Sequence, residues 1–214
     1  MITQALIDRA SALLALDKRC ILGLVGAPGS GKSTAAARLA EVLGPSAKVV
    51  PMDGFHLAQA ELVRLGRDDR KGAPDTFDAA GYVALLRRLR EQPLDEVIYA
   101  PTFRRELEEP VAGAIPVLPE TKLVITEGNY LLLDGPWLPV RRLLDESWFF
   151  DTPESKREAW LLARHMAFGR TTEEARAWIQ VTDTPNARLI LGTRDRADIL
   201  IKPDTSVPFS ESRG

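Results

Sequence analysis

The chain has 214 residues, 45% of them hydrophobic, which suits one domain with a buried core. Its formal charge of −2 provides no field to gather nucleic acid. A single cysteine, Cys20, excludes an intrachain disulfide, and only two histidines, His56 and His165, argue against a His/Cys zinc cluster. No stretch reaches about 18 uninterrupted apolar residues and the N-terminus does not read as a signal peptide, so a cytoplasmic protein without a membrane partner is expected.

In chain order, residues 3–16 place Ala5, Leu6, Ala10, Leu13 and Leu14 at helical spacing. "CILGLVG" (20–26) is an apolar run of strand length ending in glycine. "TAAARLAEVLG" (34–44) is a helix stopped by Gly44, and "KVVPMD" (48–53) is a short strand. "DAAGYVALLRRLRE" (78–91) is a helix whose arginines form its wet face. "EVIYAP" (96–101), "TKLVITEG" (121–128) and "ESWFFD" (146–151) are strands, and "FRRELEE" (103–109) reads as a solvated turn, with Arg104 or Arg105 as the alternative reader of an anionic substrate. A long helix covers 152–170, with Thr152 as cap and Pro153 at its first position. Helices follow at 172–183 and 186–194, a strand at 197–202, and a loose polar tail "PDTSVPFSESRG". There is no internal repeat. Strands alternating with helices predict a single α/β domain over 1–214, a parallel sheet covered on both faces, with sites at the carboxyl ends of the strands. Asp53, Glu127 and Asp151 all fall at such ends.

"GAPGSGKS" (26–33) matches G-x-x-x-x-G-K-[ST] between a strand and a helix, the context that motif needs. Glycines let the backbone wrap a phosphate, and successive N–H groups with the helix N-terminus present positive potential to it. Gly26, Ala27, Pro28, Gly29, Ser30, Gly31, Lys32, Ser33 and Thr34 are therefore the nucleotide-binding residues, with Lys32 for the β/γ-phosphates and Ser33 for Mg²⁺. A small-molecule kinase, a GTPase switch and an ATPase motor all use this loop. Neither the N-K-x-D of a GTPase nor the L-S-G-G-Q of a transporter ATPase is present. Locally, Asp53 reads equally as a turn residue, a metal ligand or a base. Asp151 reads as an anchor for the next helix, and Trp178 as packing.

"MDGFH" (52–56), "RKGAPDTFD" (70–78), "YAPTF" (99–103), "ITEGNYLLL" (125–133), "WLLARHMAF" (160–168) and "NARLILGTRDRADILI" (186–201) recur in an order that resembles the uridine kinase/phosphoribulokinase superfamily. The likeness is greatest to its type I pantothenate kinase branch and to short bacterial kinases described as fructose-transport-system or nucleoside kinases. The resemblance implies a nucleoside/nucleotide-kinase-like P-loop fold with a helical lid at 153–185, and ATP with Mg²⁺ as cofactors. It places Asp53 to take the acceptor hydroxyl's proton, Glu127 to hold Mg²⁺ or its water, and Arg164 on the phosphates. Asn186, Arg70, Lys71, Phe103 and His56 fall at the acceptor side, a structural role for His56 staying open, and Arg194 near the adenine. Two positions depart from pantothenate kinases: Arg105 stands where they carry histidine, and Leu161 where they carry tyrosine. The expectation is therefore an ATP-dependent kinase of a small-molecule hydroxyl, a fructose-like sugar or a nucleoside, acting as monomer or homodimer. A pantothenate kinase-like enzyme and a nucleotide-binding ATPase regulator are the alternatives.

Overall fold

The computed structural model describes residues 2–93 and 95–202; the polar tail expected at 203–214 lies outside them. Five strands build one parallel sheet: β1 (Cys20–Val25), β2 (Ala47–Pro51), β5 (Leu123–Gly128), β6 (Glu146–Phe150) and β7 (Ile199–Ile201), in the order β2-β5-β1-β6-β7. Every residue of β1, β5 and β6 is buried, as strands covered on both faces must be. Alternation along them splits the core in two. Ile21, Val25, Val124 and Phe149 face one layer with α4 (Ala79–Arg90) and α5 (Leu138–Leu143). Leu22, Leu24, Ile125 and Trp148 face the other, with α1 (Gln4–Leu14) and α2 (Lys32–Leu43).

The stretch at 96–101 does not join the parallel strands. It lies in β3 (Ile98–Arg104), which pairs antiparallel with β4 (Glu109–Val117) in a separate two-stranded hairpin. Its half-buried pattern explains the difference, because one face of the hairpin stays wet. Gly54 sits against the Pro101 carbonyl, so the hairpin is docked on the turn after β2. Thr152 also departs from expectation. Pro153 occupies the cap position of α6 (Glu154–Ala167), and the Thr152 hydroxyl donates instead to the Ser30 carbonyl at 2.8 Å. The stretch expected as a helix over 172–183 is helical throughout but changes type part-way and does not stop before the next helix. α7 (Thr172–Trp178) passes through a π-helical turn at 179–183 into α8 (Thr184–Leu191). Such turns recur at functional sites. A short helix at Gln59–Leu65, α3, completes the set.

Candidate active site

β1 ends at Val25 and α2 begins at Lys32, so residues 26–31 form the phosphate loop at the carboxyl edge of the sheet. Gly31 caps α2 with φ +88°, and Gly29 (φ +75°) approaches the Arg157 carbonyl so closely that a Cβ would collide with it. The Ser33 hydroxyl donates to Glu127 Oε1 at 2.9 Å, joining the loop to the neighbouring strand β5. Burial pushes Lys32 below its ordinary pKa against the pull of Glu127 and Asp53. Burial also raises Glu127 against the pull of Lys32. Desolvation thus works against both charges, and an anion with its cation would relieve both.

A cleft of about 490 Å³ runs from this loop past the end of β2. Lys32, Ser33, Asp53, His56, Lys71, Phe103, Arg164 and Asn186 all line it. Asp53 sits in a 3₁₀ turn at Met52–Phe55, with Arg105 Nη2 at 3.9 Å from its Oδ2. His56 packs between the Phe77 ring at 3.9 Å and the Phe103 ring at 4.8 Å, and burial lowers its pKa to about 4, so at pH 7 it is neutral. Lys71 Nζ donates to the Glu108 carbonyl at 2.5 Å and lies 5.6 Å from the Phe103 ring centre. Asn186 Nδ2 donates to the Gly72 carbonyl at 3.3 Å, which ties α8 to the 70–78 loop. Arg164 comes from α6; its pKa is lowered first by burial and then by the nearby Arg105, against Asp183, Asp53 and Glu127. Lys32, Arg105 and Arg164 thus converge on one end of the cleft, where phosphoryl groups would need positive charge.

The sequence pattern of the Phosphoribulokinase / Uridine kinase family matches residues 21–207. The chain belongs to this family. It is therefore a P-loop kinase, a phosphotransferase with an alcohol group as acceptor. A protein of Schizosaccharomyces pombe provisionally described as a uridine kinase is 37% identical over 188 residues, 83% of this chain and 79% of its own length. A crystal structure from Silicibacter sp. TM1040, provisionally described as a fructose transport system kinase, is 38% identical with a TM-score of 0.82, covering 91% of this chain and 98% of that one. The pantothenate kinase of Corynebacterium glutamicum is 29% identical over 209 residues, 85% of this chain and 66% of its own length.

Of the expected loop residues only Pro28, Lys32 and Ser33 line the cleft, and Glu127 reaches it through Ser33, whereas Arg70 and Arg194 turn to other partners. Arg70 turns to Asp75 at 3.0 Å and Asp69 at 3.2 Å, leaving its neighbour Lys71 to face the cleft. Arg194 pairs with Asp151 at 3.6 Å beyond the end of α8, so Asp151 anchors that turn. Sequence reasoning passed over Asn129 and Asp183, which both line the cleft. Asn129 Oδ1 is buried with no hydrogen-bond partner among the described residues, as are His56 Nδ1 and Ser30 Oγ. Its position directly after the Glu127-Gly128 strand end was the available signal. Asp183 accepts from His165 Nε2 at 3.0 Å, while Arg170 Nη1 reaches His165 Nδ1 at 3.3 Å. Arginine can only donate, so Nδ1 accepts and the proton sits on Nε2.

Oxygen donors suit Mg²⁺, and the Ser33 hydroxyl with the Glu127 carboxylate supplies two in hydrogen-bond contact. Among the described residues no cluster of three or more His, Cys, Asp or Glu could hold a metal by itself. That donor set fits an ion shared with a nucleotide's phosphates.

Proposed function

We propose that this kinase transfers the γ-phosphate of ATP to a hydroxyl of a small polar metabolite, a fructose-like sugar or a nucleoside. The observation that carries the reading is one continuous cleft lined by Lys32 and Ser33 together with Asp53, His56, Phe103 and Asn186. The acceptor oxygen attacks the γ-phosphorus, its proton passes to Asp53, and ADP leaves. Lys32 and Arg164 bind the phosphates and offset charge spread over the transferred group. Ser33 and Glu127 would hold Mg²⁺, which when bound neutralises phosphate charge. Residues 153–185, carrying Arg164, Asp183 and the π-helical turn, act as the lid that excludes water. The protein is read as a cytoplasmic monomer or homodimer without nucleic-acid or membrane partners, in keeping with its near-neutral charge.

Similarity to the Corynebacterium enzyme supports pantothenate as a second acceptor to try. One assay separates the readings. The protein is incubated with Mg-ATP and a panel of sugars, sugar alcohols, nucleosides and pantothenate, and acceptor-dependent ADP is followed. Release with a sugar or nucleoside supports the proposal, and release with pantothenate alone replaces it. Release that no acceptor alters points to an ATPase regulator.

A further inference from the structure

Arg157 is 3% exposed, in the first turns of α6, directly behind the phosphate loop. Its Nη1 donates to the Pro28 carbonyl at a long 3.4 Å, and its Nε is buried with no partner among the described residues. The carboxylate paired with it, Glu154, stands 4.0 Å from Nη2 with its own side chain 66% exposed. A wet carboxylate at that distance compensates a buried guanidinium poorly. The arrangement is costly, because buried charges are ordinarily matched by a close counter-ion. Burial accordingly holds the Arg157 pKa below its ordinary value, against the weaker pull of Glu154, Glu158 and Asp183, of which only Glu154 comes within 4.0 Å. The loop and α6 are pressed together here: Gly29 meets the Arg157 carbonyl and the Leu161 side chain. Arg157 does not line the cleft, so it acts from behind the backbone that wraps the phosphates.

We propose that Arg157 is a positioning residue whose buried charge, touching the loop through the Pro28 carbonyl, raises the affinity of the phosphate loop for highly charged nucleotides without contacting them. The unmatched counter-ion is then the polyphosphate on the far side of the loop. A field that passes through protein is weakly screened, so the effect persists in salt. It also scales with ligand charge: ATP gains more than ADP, and ADP more than AMP.

The inference rests on a nucleotide occupying the phosphate loop. The test measures ATP, ADP and AMP binding by calorimetry, with thermal midpoints of the ligand-free protein. Arg157→Gln removes the charge and keeps a polar amide; Arg157→Met removes both charge and polarity. Both variants should lose about tenfold in ATP affinity and much less in AMP affinity, with ligand-free midpoints equal to or above that of the unsubstituted protein. Arg157→Lys keeps the charge and should restore most of the ATP affinity. Unchanged ATP affinity in Arg157→Gln, or an equal loss for ATP and AMP, overturns the inference. A fall of several degrees in the ligand-free midpoints of both neutral variants also overturns it, because that marks a mechanical buttress. An unsubstituted protein that binds no ATP overturns the nucleotide reading itself and this inference with it.

Discussion

Asp53 and Glu127 are carboxylates at the same sheet edge, yet their surroundings set them apart. Glu127 is buried and bonded to Ser33, while the side chain of Asp53 is 34% exposed and opens on the cleft. Asp53 is therefore the more accessible of the two carboxylates, and the proposed transfer to a hydroxyl assigns the proton to it. Asp53→Asn should keep ATP binding and lose at least about 10²-fold in phosphoryl transfer. Near-normal turnover in that variant would return Asp53 to the rank of a turn residue. His56 supports a second expectation. Its value of about 4 lies below the ordinary 6.5, so unfolding takes up a proton between those two pH values. Stability that depends on neutral His56 is complete above pH 6.5 and fades as pH falls toward 4, by about 3 kcal/mol in all. Urea unfolding at stepped pH should show that slope, and His56→Gln should flatten it; parallel curves would refute the assignment. Sequence order brought both residues to the right neighbourhood. It could not choose between Arg70 and Lys71, because which of two adjacent loop cations faces inward depends on Asp75, a partner met only in the fold.

Among elements, the phosphate loop and the hairpin depend on how their supports are tied together. Arg19 is one such tie. Its guanidinium donates to the carbonyls of Thr121 at 2.7 Å, Leu89 at 3.0 Å, Leu118 at 2.9 Å and Pro119 at 2.8 Å. It thereby joins the end of α4 to the turn between β4 and β5 and to the start of β1. Removing it orphans several carbonyls, so Arg19→Ala should lower unfolding free energy by about 2–4 kcal/mol, visible as a lower urea midpoint. Arg19→Lys should recover less than half, since an ammonium cannot span that fork. A change under about 0.5 kcal/mol would mean water replaces the guanidinium without loss. The strands β1, β5 and β6 were legible as apolar runs because burial on both faces leaves no polar position. β4 was not: "EPVAGAIPV" carries two prolines and a glycine, signals that argue against a strand except at an edge. The two helices α3 and α5 are too short, at seven and six residues, to show a helical period.

At the scale of the molecule, the strand order spreads the cleft over different strands: the phosphate loop follows β1, the turn bearing Asp53 follows β2, and β5 with Glu127 lies between them. The α/β class and the edge carrying the site followed from strand–helix alternation and the glycine loop alone. The separate hairpin and the π-helical turn did not: the prolines and glycine of β4 mask its strand, and a single π-helical turn inside a helical run leaves no period of its own. This layout has a consequence for stability. Burial opposes the charges of both Lys32 and Glu127 in the ligand-free protein, so ligand charge should stabilise the whole sheet edge rather than one loop. A ligand that binds only the folded state adds about 2.7 kcal/mol at 100 times its Kd, which for a domain of this size is a rise of roughly 5–10 °C in Tm. Mg-ATP should produce a shift of that order in a thermal melt. ATP with excess EDTA should produce a smaller one, because Ser33 and Glu127 then lack the cation that suits them. Lys32→Ala should abolish most of the shift while remaining folded. Equal shifts with Mg²⁺ and with EDTA would remove Ser33 and Glu127 from the metal's support, and an undiminished shift in Lys32→Ala would remove the phosphate loop from nucleotide binding.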